Sequence, residues 1–499
     1  MAAVPSLVQL CFDHLVKNYG QRPVLGDLNS QFKDRLIDNL NIDLPLEVTV
    51  RFSTTHLHTR IHIPARTRAP AAPTSFPRRR RWLADSEIDR YAHRRLCSLS
   101  HTLSLTLTHS LTRSPTLSIC LCRSQAGVEK EDYWRRKVEG MSDDWGPCVV
   151  GDHGNSWKRL YFERHLQGQL ENCTPEDEGE TMDGPGGIVH TCELSGGHIK
   201  KLNLRQLIPP EQGEPEQPRT ISIVDDGDGD DEDEDEDDAH PTDHIDLTPV
   251  LRKLQGLEEL RISYMVKNCG MNFKWSMFGI TSGDCSTLLR SVRDYTSLTS
   301  LTIHRSLIGD HKARIICSYL LNHKTIKRLD LSHNSIEDSG ARALAKLVNH
   351  SVLEELDVCD NKIKAKGAKA LGKSLKENSR LRELNVRLNR FDEAGGKLFF
   401  QGLTGNRTLQ KLNVSCNSLG HQSATAMCEF IDHNPGLTHL DLTCNNLGVE
   451  AGTLVLEAMD GNTALQNMDM RLTKFDKDTE FQINVILRSN SKAAAPKAS

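Results

Sequence analysis

Gly367, Gly372, Lys373 and Ser374 stand in GAKALGKS at the spacing of a phosphate-binding loop, G-x-x-x-x-G-K-S. Such a loop turns backbone N–H groups and a lysine onto the phosphates of a nucleotide, so the chemistry offered is ATP or GTP hydrolysis. Cys148, His153, His165 and Cys173 supply zinc-ligand types within one short stretch, at a spacing that matches no standard cluster. The run DDGDGDDEDEDEDD, residues 225–238, begins like a calcium loop, but Asp231 stands where an EF-hand needs glycine. Trp157, Leu160 and Tyr161 beside Lys158, Arg159 and Arg164 could stack RNA bases, although an aromatic helix face is more commonly core. No nucleophile, base and orienting acid can be picked out together.

The elements that must position these residues decide between the readings. From Leu298 the chain repeats LTSLTIHRSLI, IKRLDLSHNSI, LEELDVCDNKI, LRELNVRLNRF, LQKLNVSCNSL, LTHLDLTCNNL and LQNMDMRLTKF, starting at 298, 326, 353, 381, 409, 437 and 465. The pattern L-x-x-L-x-L-x-x-N at a period of 27 or 28 residues is that of leucine-rich repeats that alternate one strand with one helix. Two degenerate copies, HIKKLNLRQL and LEELRISYMV, lie upstream. The predicted fold is therefore α/β, a horseshoe solenoid with strand and helix in each repeat and a small α-helical N-terminal region. Leu329 and Leu331, or Leu356 and Val358, alternate inward at the strand period. Asn334, Asn361, Asn389, Asn417 and Asn445 fall where the chain leaves each strand, where a buried amide can serve backbone groups of adjacent turns. In the helix half, SGARALAKLV, KGAKALGKSL and AGGKLFFQGL align, so Gly367 matches Gly340 and Gly395 and Lys373 falls inside a helix. A helix interior has already used the N–H groups a phosphate needs, so no nucleotide, cofactor or metal is expected.

Between the inward leucine positions, Asp330, Asp357, Asn385, Asn413, Asp441 and Asp469 share one outward register, with Arg387 and Arg471 one strand position further on. Stacked about 4.8 Å apart, like charges in this row should repel. The row is the expected partner-binding surface. The competing reading is that Asp and Asn are simply frequent at this place in such repeats.

Net charge is only −5, so no global basic field argues for nucleic acid. Asp13 interrupts the first apolar run and no uninterrupted apolar stretch of membrane length occurs, so a soluble, intracellular chain without signal peptide or span is expected. Its cysteines then read as reduced thiols. Residues 1–50 predict an N-terminal helical segment. Residues 51–130, basic and then rich in Ser, Thr, His and Leu, predict disorder or a retained intron, because those four residues can all be encoded by triplets of C, T and A. Residues 131–190 form a helical segment and 191–490 the solenoid, interrupted by a disordered acidic loop at 209–243; residues 491–499 are a predicted disordered tail.

The segments outside the repeats carry a resemblance. DLPLEVTV, DYWRR, DHGNSWKRLYFERHL, KNCGMNFKWSMF and DHKARII together resemble the T-complex-associated testis-expressed family, leucine-rich-repeat subunits of the nexin–dynein regulatory complex. The resemblance implies a non-enzymatic axonemal subunit of cilia and flagella that contacts other subunits of the complex, and through them dyneins and doublet microtubules, with no nucleic acid, membrane or nucleotide as partner. A cytosolic adaptor or inhibitor that regulates an enzyme is the alternative, because fold alone does not fix function.

Overall fold

The structure, a computed structural model, describes residues 128–141, 149–177, 187–195, 197–210, 243–269 and 275–494, with a few single positions between them. The expected N-terminal helical segment, the basic and Ser/Thr-rich stretch up to residue 127, the acidic run 225–238 and Cys148 lie outside the described residues. The chain divides into two units, residues 1–144 and 145–499.

In the first unit, helix α1 (Glu131–Glu139) carries the DYWRR motif. Trp134 Nε1 donates to the Val128 carbonyl at 2.8 Å, and Tyr133 meets Trp134 edge to face with centroids 5.2 Å apart.

The second unit opens with α2 (Trp157–Glu171) and α3 (Ile188–Leu194). Among the described residues nine parallel strands follow in sequence order, each hydrogen-bonded to the next: β1 (Lys201–Leu204), β2 (Glu259–Ile262), β3 (Ser300–Ile303), β4 (Arg328–Asp330), β5 (Glu355–Asp357), β6 (Glu383–Asn385), β7 (Lys411–Asn413), β8 (His439–Asp441) and β9 (Asn467–Asp469). The two degenerate upstream repeats supply β1 and β2. The chain returns through α4 (Thr248–Lys253), α5 (Ser282–Arg293), α6 (Asp310–Leu320), α7 (Asp338–His350), α8 (Ala365–Leu375), α9 (Asp392–Leu403), α10 (His421–His433), α11 (Val449–Ala458) and α12 (Lys477–Ala494).

Register is that of the repeats: Leu301, Leu329, Leu356, Leu384, Leu412 and Leu440 pair across neighbouring strands. They are almost fully buried, as are Leu331 and Val358 two residues further on. Burying one such side chain contributes about 1.5–3 kcal/mol, and only the next repeat supplies the surface that covers it.

Helix starts are tied from repeat to repeat. The carboxylate of Asp310 on α6 accepts from Glu337 N at 2.7 Å and Ser339 N at 3.1 Å, at the start of α7. Asp338 on α7 then accepts from Lys364 N and Gly367 N at 2.8 Å, at the start of α8. A carboxylate there satisfies orphan N–H groups and opposes the positive end of the helix dipole.

The first strand would leave an open edge, and α2 covers it with two buried glutamates. Glu163 accepts from the N–H groups of Lys200 and Lys201, both at 2.8 Å, and Glu171 accepts from Arg205 N at 2.8 Å. A sheet edge is thereby closed by side chains rather than by another strand.

At the other end α12 continues to Ala494, so Ser491–Ala494 are helical where a disordered tail was expected. Asn490 Nδ2 donates to the Asn462 and Leu465 carbonyls, and Ser491 Oγ to Gln466 O, which fixes the last turns against β9. Among the described residues no helix is long and apolar enough to cross a membrane.

Candidate functional site

The outward row lies where its spacing predicts. Asp330, Asp357, Asn385, Asn413, Asp441 and Asp469 are Cα partners along β4–β9, and they line one groove of about 490 Å³ on the exposed strand face. Their side chains are occupied. In each, Oδ1 accepts from the backbone N–H two residues later: Ser332 to Asp330 at 2.9 Å, Cys359 to Asp357 at 2.9 Å, Arg387 to Asn385 at 3.2 Å, Ser415 to Asn413 at 3.0 Å, Thr443 to Asp441 at 3.0 Å and Arg471 to Asp469 at 3.2 Å. These local turns redirect the chain out of each strand, the work for which Asp and Asn are favoured. The frequency of the two types in this row thus has a structural cause.

Simple repulsion along the row is broken by amides. Asn385 Nδ2 donates to Asp357 Oδ2 at 2.9 Å and Asn413 Nδ2 to Asp441 Oδ2 at 3.1 Å. Like charge persists between Asp330 and Asp357, where burial and then the charge of Asp330 hold the Asp357 carboxyl above its usual range. At the end of the row Arg471 folds onto Asp469, with Nε to Oδ1 at 2.9 Å, and this bond lowers the Asp469 pKa. Arg471 is therefore tied to its own repeat. Beside the row, Arg328 pairs with Glu355 at 2.9 Å and Lys411 with Glu383 at 2.7 Å, so the face is a mosaic of both signs.

Behind it runs the asparagine ladder. Asn334 Nδ2 donates to the Ile303 and Leu331 carbonyls at 2.9 Å, while its Oδ1 accepts from Ser306 N at 3.0 Å and Ile308 N at 3.2 Å. Asn361 and Asn389 repeat the arrangement. A second ladder, which the repeat pattern did not bring out, follows the helices: Asn378 Oδ1 accepts from Arg380 N and Leu381 N, and Asn406 Oδ1 from Thr408 N and Leu409 N. Asn406 begins an Asn-Arg-Thr glycosylation triplet, but its amide is buried and used at both ends.

GAKALGKS is α8. The Gly367 N–H is held by Asp338, and a Cβ at Gly367 would lie 2.6 Å from Ile363 Cγ2. A Cβ at Gly372 would overlap the Phe399 carbonyl oxygen and lie 2.9 Å from its Cα, and Gly402 faces Gly372 in return. The glycines let α8 and α9 approach; Lys373 points to solvent and Ser374 Oγ donates to its own helix at Leu371 O.

The described members of the zinc-ligand set that the spacing argued against, His153, His165 and Cys173, have other partners. His153 Nδ1 pairs with Glu163, His165 stacks on Tyr161 at 5.5 Å, and the Cys173 thiol donates to Thr174 O at 3.6 Å. Of the residues offered for base stacking, Leu160 and Tyr161 are buried and Trp157 is half-buried. The structure does join three residues that sequence reasoning missed. His244 Nδ1 lies 2.9 Å from Asp284 Oδ2 and 2.5 Å from Asp243 Oδ1, and Thr281 Oγ1 donates to Asp284 at 2.7 Å. This cluster pins the chain returning toward α4 to the first turn of α5. Burial opposes the imidazolium, but the two carboxylates outweigh it and push the His244 pKa up to about 9.

Parallel strands in sequence order, each returned by a helix and, from β4 to β8, left by a buried asparagine, make this a leucine-rich-repeat solenoid. The family described as Leucine Rich repeat matches residues 322–345, 349–372, 405–428 and 433–454. Beyond the repeat, the chain is similar to dynein regulatory complex subunit 5: 31% identical over 348 residues to that of Macaca fascicularis and 30% over 348 residues to that of Homo sapiens, in each case over 70% of this chain and 52% of the relative. The subunit 5 of Chlamydomonas reinhardtii is 31% identical over 189 residues, 38% of either chain. The chain spans about half the length of the mammalian relatives it matches. The resemblance carried by the non-repeat segments is met by these relatives. Among solved structures, leiomodin-1 actin-binding site 2 aligns with 31% of this chain and 90% of its own at 16% identity and a TM-score of 0.28, a likeness on which nothing further rests.

Proposed function

We propose that this chain is a non-enzymatic structural and regulatory subunit of the axonemal nexin–dynein regulatory complex, which helps link outer doublets and regulates dynein-driven motility of cilia and flagella. Its direct contacts are other subunits of the complex, and dyneins and doublet microtubules are reached through them. The observation that carries this reading is the length of the similarity. The 348 aligned residues exceed the whole span 191–490, so the likeness extends beyond what any repeat array would share. The non-enzymatic part rests on α8, whose glycines serve helix packing, and on the row Asp330 to Asp469, whose carboxylates and amides serve strand exits. Arg387 and the uncompensated acids of that row remain the surface through which a partner subunit would be held.

Fractionation tests the proposal. Axonemes isolated from ciliated cells that express the tagged chain should retain it through detergent and salt washes, and extract it together with other subunits of the complex. Release into the first detergent supernatant would favour the cytosolic adaptor instead.

A further inference from the structure

Three residues beyond the strand row, each repeat from β4 to β9 places one residue in the left-handed region: His333, Asp360, Leu388, Cys416, Cys444 and Leu472 have φ between 52° and 60°. A left-handed residue at the same place in successive turns makes a ridge whose side chains are neighbours. His333 and Asp360 demonstrate the contact, with Nδ1 2.7 Å from Oδ2 across adjacent repeats. Two repeats on, the ridge holds two cysteines. Asn413 and Asp441 are Cα partners, and Cys416 and Cys444 follow each by three residues. Their loops are joined directly, Cys416 N donating to Thr443 O at 2.9 Å, and Cys444 N continues the ladder to Arg471 O at 3.0 Å.

We propose that Cys416 and Cys444 form a paired-thiol site that exchanges with low-molecular-weight disulfides and closes to an inter-repeat disulfide. Equivalent positions on neighbouring parallel strands lie about 4.8 Å apart, inside the window of about 4.4–6.8 Å between Cα atoms that a disulfide spans without backbone movement. Cys444 is exposed and Cys416 partly so, whereas Cys173, Cys192, Cys285, Cys317 and Cys359 are buried. Burial and then a hydrogen bond with the Cys444 thiol raise the Cys416 pKa, and the Arg387 guanidinium beside it acts in the opposite direction. The two thiols therefore stand at one register on neighbouring repeats, and the Arg387 guanidinium only partly offsets what raises the Cys416 pKa.

With glutathione disulfide as the oxidant, the exposed Cys444 thiolate attacks one of its sulfurs. A Cys444–glutathione bond forms, the glutathione S–S bond breaks, and the departing glutathione thiolate takes up the proton released from Cys444. The Cys416 thiolate then attacks Cys444 Sγ, breaks the mixed disulfide and expels the second glutathione, which takes up the Cys416 proton. The chain loses two protons and two electrons, and glutathione disulfide is reduced to two thiols.

Trypsin cannot resolve the pair, because no Lys or Arg lies between Lys411 and Arg471, but cleavage after Glu393, Glu429 and Glu450 separates Cys416 from Cys444. The folded full-length chain would be incubated with glutathione disulfide, its remaining thiols alkylated, and its glutamyl-cleavage peptides weighed before and after reduction. The expected result is a reducible link between peptides 394–429 and 430–450, kept in Cys428→Ser and lost in Cys416→Ser, which should instead retain glutathione on Cys444. Phenylarsine oxide, which bridges neighbouring thiols without oxidation, should protect both cysteines from alkylation in the wild type and leave Cys444 alkylatable in Cys416→Ser. A wild-type chain that accumulates glutathione on Cys444 while Cys416 stays alkylatable, or in which the arsenical protects neither residue, overturns the proposal.

Discussion

A single asparagine amide at a strand exit holds two turns of the solenoid together, because it has donors and acceptors enough for both. Asn361 donates to Leu331 O in the preceding repeat and to Val358 O in its own at 3.1 Å, and accepts from Ile336 N at 3.0 Å. Replacement by alanine leaves buried backbone groups without partners, each costing about 1–3 kcal/mol. Asn361→Ala should therefore lower the urea unfolding free energy by about 3 kcal/mol or more, and an unchanged midpoint would contradict the ladder. His244 acts by charge instead. Its pKa, raised to about 9 by Asp243 and Asp284, means that the folded state holds the proton more tightly than an ordinary histidine near 6.5 does. The resulting stability is fully present below about pH 6.5 and is lost as pH rises through about 9. Denaturant midpoints measured from pH 6 to 9.5 should fall over this window for the wild type and stay flat for His244→Gln.

At the scale of elements, helix spacing is set by glycine, and this separates the two readings of GAKALGKS. Gly372→Ala places a methyl group against the backbone of Phe399, and such overpacking costs about 1–3 kcal/mol, reduced by the helix preference of alanine. Lys373→Ala, on the solvent side, should change stability by less than about 0.5 kcal/mol. Thermal unfolding of the two variants decides: a nucleotide loop would make the lysine the sensitive position and stability ligand-dependent. Register, strand number and helix position were legible because each inward leucine answers to a neighbour one period away. The α2 cap was not, since Glu163 meets Lys200 and Lys201 at separations of 37 and 38 residues that no period announces. His244 and Asp284, 40 residues apart, were hidden for the same reason. The partner row was legible as a row, but its residue types alone could not say that every Oδ1 was already engaged in a turn.

For the whole molecule, the proposed role puts a partner subunit on the strand face, and the turn bonds decide which substitutions can test that contact. Reversing Asp330 and Asp357 to lysine would remove the acceptors that hold Ser332 N and Cys359 N, so a failure to assemble would not distinguish misfolding from lost contact. Asparagine at both positions removes the charge and keeps an Oδ1, as Asn385 and Asn413 already do in the same row. Because burial and Asp330 already hold the Asp357 carboxyl above its usual range, neutralising the pair relieves repulsion, and the folded state should be no more than about 1 kcal/mol less stable than wild type. Asp330→Asn/Asp357→Asn should then unfold like the wild type yet enter the regulatory complex less completely. Raising ionic strength should bring wild-type incorporation down toward that of the variant, since screening removes what the substitution removes. Normal folding together with wild-type incorporation at every salt concentration would move the contact off this face, and the half-buried Trp157 end of α2 would be the next surface to test.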